Sequence, residues 1–429
     1  MKIKYLIPSL FLVTNLYSNE YSLKALIDLA INNNTDISIT KLNSANKKAA
    51  VMAAKAGYLP NLSTTVEFAH YDIKSNGSTS KGKVNSISLS ANQLLYDFGK
   101  TTSTINASKE DFTASLKELI STTSTTVLNV KEAYYNILKQ HKLIDVAKQS
   151  VEIDELQLNQ AKEYFKAGVK TKIDVSNAQL QVSNSKLELL KASYALKTAK
   201  AKFITILGKD LRHSLQIQKE NEDINNLSKN LKKDGLNLDD LIKEALIQRA
   251  EIPMQKALVK SAKQTYIATK AQFKPTINAN GSYKDSNSDD ISSFDSTQYN
   301  AGIYLEWNFF SGFRTTANTK QNLTALKSTK QRLKQQELSI IKDVTIAYYN
   351  VQENISALEI AKLSVDLAEQ TLQLAQDRYK NGLNDLVELN NSKLDFIKAK
   401  NDLVNTYYTY KAAIANLDYA TGIIYTIKG

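Results

Sequence analysis

Apolar residues recur at alternating spacings of four and three through two long stretches of the chain, Gly99 to Gly168 and Phe313 to Asn381. Neither stretch has a glycine or a proline inside it. This spacing is typical of coiled coils, and a helix of about 60 residues extends roughly 90 Å. The pattern therefore predicts two helical rods that are too long for an ordinary globular core. The positions in the first rod include Leu116, Ile120, Val127, Val130, Tyr134 and Ile137, and those in the second include Ile341, Val344, Tyr348, Val351 and Ile355.

Each rod ends at a short turn that contains a glycine, Gly168 in the first and Gly382 in the second, and the helical pattern then resumes. Two antiparallel helices joined by a tight turn form an αα-hairpin. We therefore expect two long helical hairpins, at about 99–207 and at about 313–421.

Shorter elements precede each hairpin. One helix is expected from Ser22 to Ala56 and another from Asn237 to Gln272. The spacing of apolar residues then changes to a period of two, which is typical of strands with one apolar and one polar face. Two β-hairpins are predicted in this way, at about 60–97 and about 275–310, with strands of roughly 9 to 14 residues. Polar loops are expected at Ser75 to Gly82 and at Asp285 to Ser296.

The sequence contains an internal repeat that covers its two halves. The tetrapeptide Ala-Tyr-Tyr-Asn at Ala133 to Asn136 recurs 214 residues later at Ala347 to Asn350, and further upstream Pro60 corresponds to Pro275 at an offset of 215. A repeat of this length is a duplicated half-protein rather than a solenoid period of about 20 to 50 residues. Each half is therefore expected to form a structurally equivalent part of the same protein.

The first 18 residues have the pattern of a secretory signal peptide. Lys2 and Lys4 precede an apolar run that is too short to span a bilayer as a helix, and small or polar residues follow near Ser18. We therefore predict an exported protein with a signal peptide at 1–18, a first structural repeat at 19–214 and a second at 215–429.

Composition excludes several kinds of chemistry. The absence of cysteine excludes disulfides and thiolate sites, and the net charge of +12 comes from lysines scattered along helices, so no nucleic-acid binding is expected. The histidines His70, His141 and His213 have no metal-ligand spacing, and there is no phosphate-binding loop or nucleophile elbow. We therefore expect no enzyme activity, no metal and no cofactor, and a passive conduit would take its energy from a partner.

The predicted strands suit an outer-membrane β-barrel, because each has one apolar face in an exported chain. A small soluble sheet with one wet face is the alternative, since alternation alone does not distinguish the two. Four strands are too few for a barrel, so membrane insertion requires oligomers, with eight strands from two copies or twelve from three. A rival function is a secreted, elongated coiled-coil scaffold or adhesin without a pore.

The sequence resembles the TolC family of outer-membrane efflux and secretion channels over essentially the whole mature chain. The matching segments are the opening motifs at Ser22 to Leu26 and Leu241 to Ala245, the strand-to-helix junctions at Leu95 to Gly99 and Phe309 to Gly312, and the tip at Phe165 to Val169 followed by Asp174 to Ala178.

This resemblance implies an α+β membrane protein in which four strands per chain contribute to a trimeric, twelve-stranded barrel in outer-membrane lipid. A twelve-helix coiled-coil tunnel in the periplasm would continue the barrel. The implied partners are two further copies, a periplasmic adaptor (membrane fusion) protein and, through the adaptor, an inner-membrane pump. The implied function is the exit duct of a tripartite efflux pump or a type I secretion system.

The resemblance also implies a periplasmic gate at Asp174, Tyr379, Asn384, Glu388 and Asn391. Asp174 would hydrogen-bond to Tyr379, and Glu388 would form an acidic ring at the constriction. Asn384 and Asn391 stand where the family often has an arginine and a second acidic ring. The competing interpretation is helix capping, because Thr171 with Asp174, and Asp385 with Glu388, are capping-box patterns. Adaptor docking is implied at the tips, at Phe165, Gly168, Val169, Tyr379, Gly382 and Leu383.

Overall fold

A computed structural model of the chain describes residues 20–75, 78–212, 215–218, 237–289, 295–383 and 385–423. The predicted signal peptide and His213 lie outside the described residues. The first half contains β1 (Glu20–Tyr21), α1 (Leu23–Asn33), α2 (Thr35–Lys55), β2 (Asn61–Ser75), β3 (Ser78–Tyr96), α3 (Lys100–Lys166) and α4 (Lys172–Leu207). The second half contains β4 (Gln216–Ile217), α5 (Leu238–Gln248), α6 (Glu251–Ala271), β5 (Thr276–Ser288), β6 (Ser296–Glu306), α7 (Arg314–Lys380) and α8 (Leu386–Thr421).

The two halves therefore repeat one order of elements: a helix pair, a strand pair and a helical hairpin. The predicted rods are present as α3 and α7, which have 67 residues each, and the returning helices α4 and α8 have 36 residues each. Each long helix extends about 100 Å at 1.5 Å per residue. None of the described helices is long and apolar enough to cross a lipid bilayer.

The region ahead of each β-hairpin differs from the prediction, because two helices replace the single expected one. The break lies at Asn34 in the first half and at Arg249 in the second, where the backbone is extended with ψ of 132° and 128°. Asn34 Nδ2 donates to the carbonyl of Ile206 at 2.8 Å, and Arg249 donates to Glu251 at 2.9 Å. Each break is therefore stabilised by side-chain contacts that a continuous helix would not place there.

One antiparallel sheet contains β2, β3, β5 and β6 in that order. The two β-hairpins join through β3 and β5, where Leu89 lies opposite Tyr283. The strands of the first hairpin are longer than predicted, with 15 and 19 residues, because pairing continues through most of the segment assigned to a polar loop. Asp72 and Lys81 pair across that extension, with a salt bridge of 2.9 Å.

The two faces of the sheet differ in chemistry, as the alternation predicts. One face exposes large apolar side chains, including those of Leu62, Val66, Phe68, Ile87, Leu89, Ile303 and Leu305. The opposite face carries small polar residues, including Ser63, Thr65, Ser86, Ser88, Ser90, Asn278, Asn280 and Asn300. A contiguous exposed apolar face of this kind marks a surface that contacts lipid or another protein.

Each strand pair is joined to its rod by a capped turn. In the first half, Asp97 accepts hydrogen bonds from the backbone N–H groups of Gly99 at 3.1 Å and Thr101 at 2.7 Å. In the second half, the hydroxyl of Ser311 accepts one from Thr315 at 3.3 Å. Both side chains satisfy backbone donors at the start of a helix, which fixes where each rod begins.

The described residues fall into two compact units, each drawn from both repeats. Within the described part of the chain, the first comprises 20–35, 125–212, 215–218, 346–383 and 385–419, and the second comprises 36–75, 78–124, 237–289, 295–345 and 420–423. The first unit contains both hairpin tips and a core that includes Leu26, Tyr134, Phe203, Leu389, Phe396 and Tyr407. It also contains a short parallel pairing of β1 with β4, which the sequence did not predict. The second unit contains the four-stranded sheet.

Candidate functional site at the hairpin tips

The two tip turns share one backbone motif. The N–H of Val169 donates to the carbonyl of Tyr164 at 2.9 Å, and the N–H of Leu383 donates to the carbonyl of Arg378 at 2.9 Å. Such bonds, which close a helix end around a residue with left-handed backbone, define the Schellman motif. That residue is the turn glycine, with φ of 75° in the first tip and 69° in the second. Both glycines are therefore required by the turn itself.

The tips expose apolar side chains. Phe165, Val169 and Leu383 are 46%, 66% and 70% exposed. In many Schellman motifs the residue after the glycine packs back on its own helix. Here Val169 and Leu383 remain available, so the tips offer apolar surface to a partner.

Asp174 caps the start of α4. Its carboxylate accepts hydrogen bonds from the backbone N–H of Thr171 at 2.9 Å and from the Thr171 hydroxyl at 2.8 Å, and its own N–H points to that hydroxyl at 3.4 Å. This is a complete capping box. The hydrogen bond from the Thr171 backbone is the main reason why the pKa of Asp174 lies below its ordinary value. Within one chain, the contacts of Asp174 are therefore those of a helix cap.

Tyr379 lies buried between the two tips. Its ring packs at 6.0 Å from that of Tyr164, whose hydroxyl donates to the carbonyl of Lys380 at 3.2 Å. The hydroxyl of Tyr379 has no hydrogen-bond partner, so the bond to Asp174 that the resemblance implied is not formed within the chain. Burial, and then the charge of Asp174, raise the pKa of Tyr379. The two residues are thus brought near each other, but they are not bonded.

Two further predicted gate residues, Glu388 and Asn391, lie in the first turns of α8. The N–H of Glu388 donates to Asp385 at 2.9 Å, which is the second cap expected from the sequence. The side chain of Glu388 is exposed and lies 3.8 Å from Arg378 in a loose ion pair. Asn391 is also exposed, and Asn384 lies outside the described residues.

A buried ion pair above the tips was not predicted. Lys393 of α8 donates to Asp154 of α3 at 2.8 Å, and the two side chains are 4% and 0% exposed. The sequence does contain a signal, since Lys393 interrupts the apolar spacing that includes Leu389 and Phe396. Its partner could not be identified in advance, because 239 residues separate the two.

A cavity of about 280 Å³ lies between α3 and the starts of α4 and α8. Its polar lining comes from Gln157, Asp174, Asn177, Gln181, Asp385 and Asn390, and its apolar lining from Ala178, Leu386 and Val387. The Nε2 of Gln157 and the Oδ1 of Asn390 are buried without a hydrogen-bond partner. Three helices therefore meet here through polar groups that are only partly satisfied, and an unpaired polar group is costly in a low-dielectric interior.

The chemistry available at the tips is electrostatic and mechanical. Among the described residues, no group of three or more histidine, aspartate or glutamate side chains is placed to hold a metal ion. What the geometry provides is a set of capped helix starts, an exposed carboxylate at Glu388 and a partly satisfied polar interior. Such an arrangement can hold neighbouring helix ends together and release them.

Comparison with known proteins identifies related sequences across both halves. The outer membrane efflux protein family matches residues 26–209 and 241–423. The chain is 22% identical over 386 residues to the outer membrane protein TolC of Vibrio cholerae serotype O1, covering 87% of this chain and 84% of that protein. It is 22% identical over 400 residues to TolC of Escherichia coli K12, covering 89% and 79%.

Solved structures share the fold. The Campylobacter jejuni CmeC outer membrane channel superposes with a TM-score of 0.82 at 16% identity, covering 95% of this chain and 87% of that one. CusC gives a TM-score of 0.82 at 19% identity, covering 94% and 92%. The open state of the Neisseria gonorrhoeae MtrE outer membrane channel gives 0.75 at 19% identity, covering 93% and 88%.

Proposed function

Because the chain belongs to the outer membrane efflux protein family, we propose that three copies assemble into a twelve-stranded barrel that continues as a periplasmic helical tunnel. Family membership makes the protein an outer-membrane efflux channel, the exit duct of a tripartite system. The proposal adds the homotrimer, the periplasmic adaptor, the inner-membrane pump reached through that adaptor, and a gate at the hairpin tips. It also includes type I secretion as a second use of the same duct.

The four-stranded sheet is the observation that supports assembly of several copies, and the family resemblance favours three. Its edge strands β2 and β6 have no further strand partner among the described residues, and one face exposes apolar side chains. Lipid does not satisfy free backbone groups at a sheet edge, and membrane barrels have about eight strands or more. Since the strands alternate in direction, β6 of one copy can continue antiparallel to β2 of the next. Three copies then close a ring of twelve strands.

The helices support the same assembly. Within one chain, α4 leaves Ile173, Leu180 and Leu187 exposed at intervals of seven residues. Helix α7 likewise leaves Ile360, Leu367 and Leu374 exposed at intervals of seven. Heptad-spaced apolar residues form the seam of a coiled coil, so each of these helices presents a face that a neighbouring helix can cover.

The proposed mechanism is gating at the tips. Asp174, Tyr379, Asn384, Glu388 and Asn391 would lie at the constriction, where three copies of Glu388 form an acidic ring that favours cations over anions. Contacts made by these residues between helix ends would hold the tunnel closed. Separation of the helix ends would open it, and the energy for opening would come from the partner proteins.

The tips are the proposed docking site of the adaptor. Phe165, Val169 and Leu383 supply exposed apolar area, and the turns at Gly168 and Gly382 hold them at the ends of the hairpins. Tyr379 would support this surface from the interior, because its ring is buried between the two tips. Docking there would act directly on the residues that hold the gate.

The test of the assembly is the native mass of the protein extracted from outer membranes in detergent. A heat-labile complex of three chains, each somewhat below the 47.8 kDa of the full sequence, would support the channel. A monomer or dimer that remains soluble without detergent would overturn it and favour the secreted scaffold or adhesin instead.

A further inference from the structure

We propose that the apolar face of the sheet binds one phosphate-bearing lipid of the outer leaflet, with the headgroup at Lys83 and His70 and an acyl chain that ends in a depression at Gly281. This inference rests on the proposed outer-membrane barrel. It adds a lipid site and the residues that form the two ends of that site.

The basic residues of β2 and β3 lie on the same side of the sheet as the exposed apolar side chains. Successive side chains of a strand point to opposite faces, so residues separated by two, four or six positions share a face. Four basic positions share the face of Phe68 and Ile87 in this way: His70, Lys74, Lys81 and Lys83. His70 lies directly opposite Lys83 in the strand register, and both are exposed.

Positive charge is in excess on this side of the first β-hairpin. Asp72 pairs with Lys81 at 2.9 Å, whereas Lys83 makes no ion pair within the described part of the chain. The second hairpin differs, because β5 contributes Asp285 to the same side and Asp289 follows it. The first hairpin is therefore the part of the face that attracts an anionic headgroup.

A depression of about 500 Å³ lies on the same face, closer to the helices. Its walls include Leu62, Leu89 and Tyr283, and small residues meet at its floor, where Ala91 lies opposite Gly281 in register. A Cβ atom added at Gly281 would have no atom within 4 Å. A hollow with apolar walls stays dry and has the size of a ligand site, so it can accept part of a lipid chain.

The distance between the basic group and the depression suits one lipid molecule. Leu62 precedes His70 by eight residues on β2, and Ala91 follows Lys83 by eight residues on β3. Eight residues extend about 27 Å along a strand, and a tilt of about 40° in a membrane barrel reduces this to about 20 Å along the membrane normal. Headgroups lie outside a hydrocarbon core that is about 30 Å thick. A headgroup at Lys83 therefore places the depression near the middle of the bilayer, where acyl chains end.

The surface between the two ends is apolar. Val66, Phe68 and Ile87 lie on the same face between the basic group and the depression, and all three side chains are exposed. An acyl chain that runs along β2 and β3 would cover them. Such cover is favourable for large exposed apolar side chains.

The connections of the strands indicate which leaflet supplies the lipid. Strand β2 follows α2 and β3 leads into α3, so the turn between β2 and β3 lies at the end of the sheet away from the helices. His70 and Lys83 lie toward that turn. Because the helices are periplasmic, the basic group lies toward the cell surface, and the lipid belongs to the outer leaflet.

The test is a titration of the detergent-purified complex with diphosphoryl lipid A, in which native mass spectrometry counts the bound lipid. Lys83→Gln removes the charge at the headgroup end and should weaken binding about fivefold. Gly281→Leu fills the depression and should weaken binding by a similar factor. Phosphatidylcholine, which has acyl chains but no net charge, should bind the unmodified protein about tenfold more weakly than lipid A does.

The matched controls lie on the polar face of β5. Lys284→Gln removes a lysine charge from that face, because Lys284 pairs with Ser88 in register. Ser282→Leu adds the same leucine side chain one residue from Gly281 but on the polar face. Both Lys284 and Ser282 are exposed. We expect both control variants to bind lipid A as tightly as the unmodified protein does.

The other outcomes separate this inference from the barrel on which it rests. An equal loss of binding in Lys83→Gln and Lys284→Gln would mean that total charge attracts the lipid, and the headgroup site would be wrong. Unchanged binding in Gly281→Leu would overturn the chain end of the site. If a complex of three chains binds lipid A no better than phosphatidylcholine, the lipid site fails while the channel stands. A single chain that stays soluble without detergent would overturn the barrel itself.

Discussion

Lys393 donates a hydrogen bond of 2.8 Å to Asp154 although both side chains are almost completely enclosed, and the second carboxylate oxygen of Asp154 has no partner. Removing two charges from water is costly, so a buried ion pair is weak evidence for net stability. It does make each partner depend on the other, because either charge alone would be buried without compensation.

We therefore expect Asp154→Leu to destabilise the packing of α3 against α8 by about 3–5 kcal/mol, because it leaves the Lys393 ammonium buried and unpaired. The double variant Asp154→Leu with Lys393→Met should recover most of that loss. Amide hydrogen exchange along α8 measures the effect. A double variant that is as unstable as the single one would contradict this account.

The gate residues can be tested by conductance. The double variant Tyr379→Phe with Asp174→Ala should raise single-channel conductance in planar bilayers, because it removes the ring hydroxyl and the carboxylate that caps α4 at the constriction. Tyr379→Phe alone should change stability by no more than about 1 kcal/mol, since its hydroxyl has no partner within the chain. An unchanged conductance in the double variant would argue against these residues as the gate.

The proposed acidic ring predicts ion selectivity. Glu388→Gln removes one negative charge per protomer at the constriction, so the cation-to-anion permeability ratio should fall. Reversal potentials measured in a salt gradient report this ratio. Glu163→Gln is the control, because Glu163 is an exposed carboxylate at the other hairpin tip that pairs locally with Lys166 at 2.7 Å. An equal fall in both variants would mean that overall tip charge, rather than Glu388, sets the selectivity.

The cap at Asp174 predicts an acid-dependent loosening of the start of α4. Its pKa in the folded protein lies below the ordinary value of 3.8, chiefly because of the hydrogen bond from the Thr171 backbone. The stabilisation is therefore complete above that value and is lost as the pH falls through the lower folded value. Protection factors of the first amides of α4 should fall only below about pH 4, and Asp174→Asn should abolish that dependence. A transition near neutral pH would point to another group.

The two faces of the sheet predict different tolerance to charge. Leu89→Lys places an ammonium on the apolar face and should cost about 2–4 kcal/mol if that face contacts lipid. Ser88→Lys places the same group on the polar face and should be tolerated. The yield of heat-labile oligomer in the outer membrane distinguishes them. Equal yields would indicate that the apolar face does not meet lipid.

Elements with a clear period could be predicted from the sequence. The rods and the four strands follow from spacings of four and three and of two, which depend only on local geometry. The turn glycines and the cap at Asp174 could also be predicted, because Schellman and capping-box motifs involve residues only a few positions apart in the sequence.

Features that depend on contacts between residues far apart in the sequence could not be predicted. The break at Asn34 depends on a hydrogen bond to Ile206, which is 172 residues away. The extension of β2 and β3 depends on ladder pairing, which does not require apolar side chains. The Lys393–Asp154 pair depends on the packing of α3 against α8, which the sequence did not specify. The unpartnered hydroxyl of Tyr379 shows that a bond implied by a family resemblance need not form within one chain.

The location of the buried ion pair bears on how such a protein is built. Because Lys393 and Asp154 belong to one polypeptide, they meet as the chain folds. Neither charge is then buried without its partner. A surface that joins separate chains, by contrast, stays uncovered until the chains assemble. An offset of 214 places Ala368 and Gln179 at the positions equivalent to Asp154 and Lys393, and neither side chain carries a charge. Duplication has thus left this ionic pair at only one of two equivalent positions, the one that a single chain can complete as it folds.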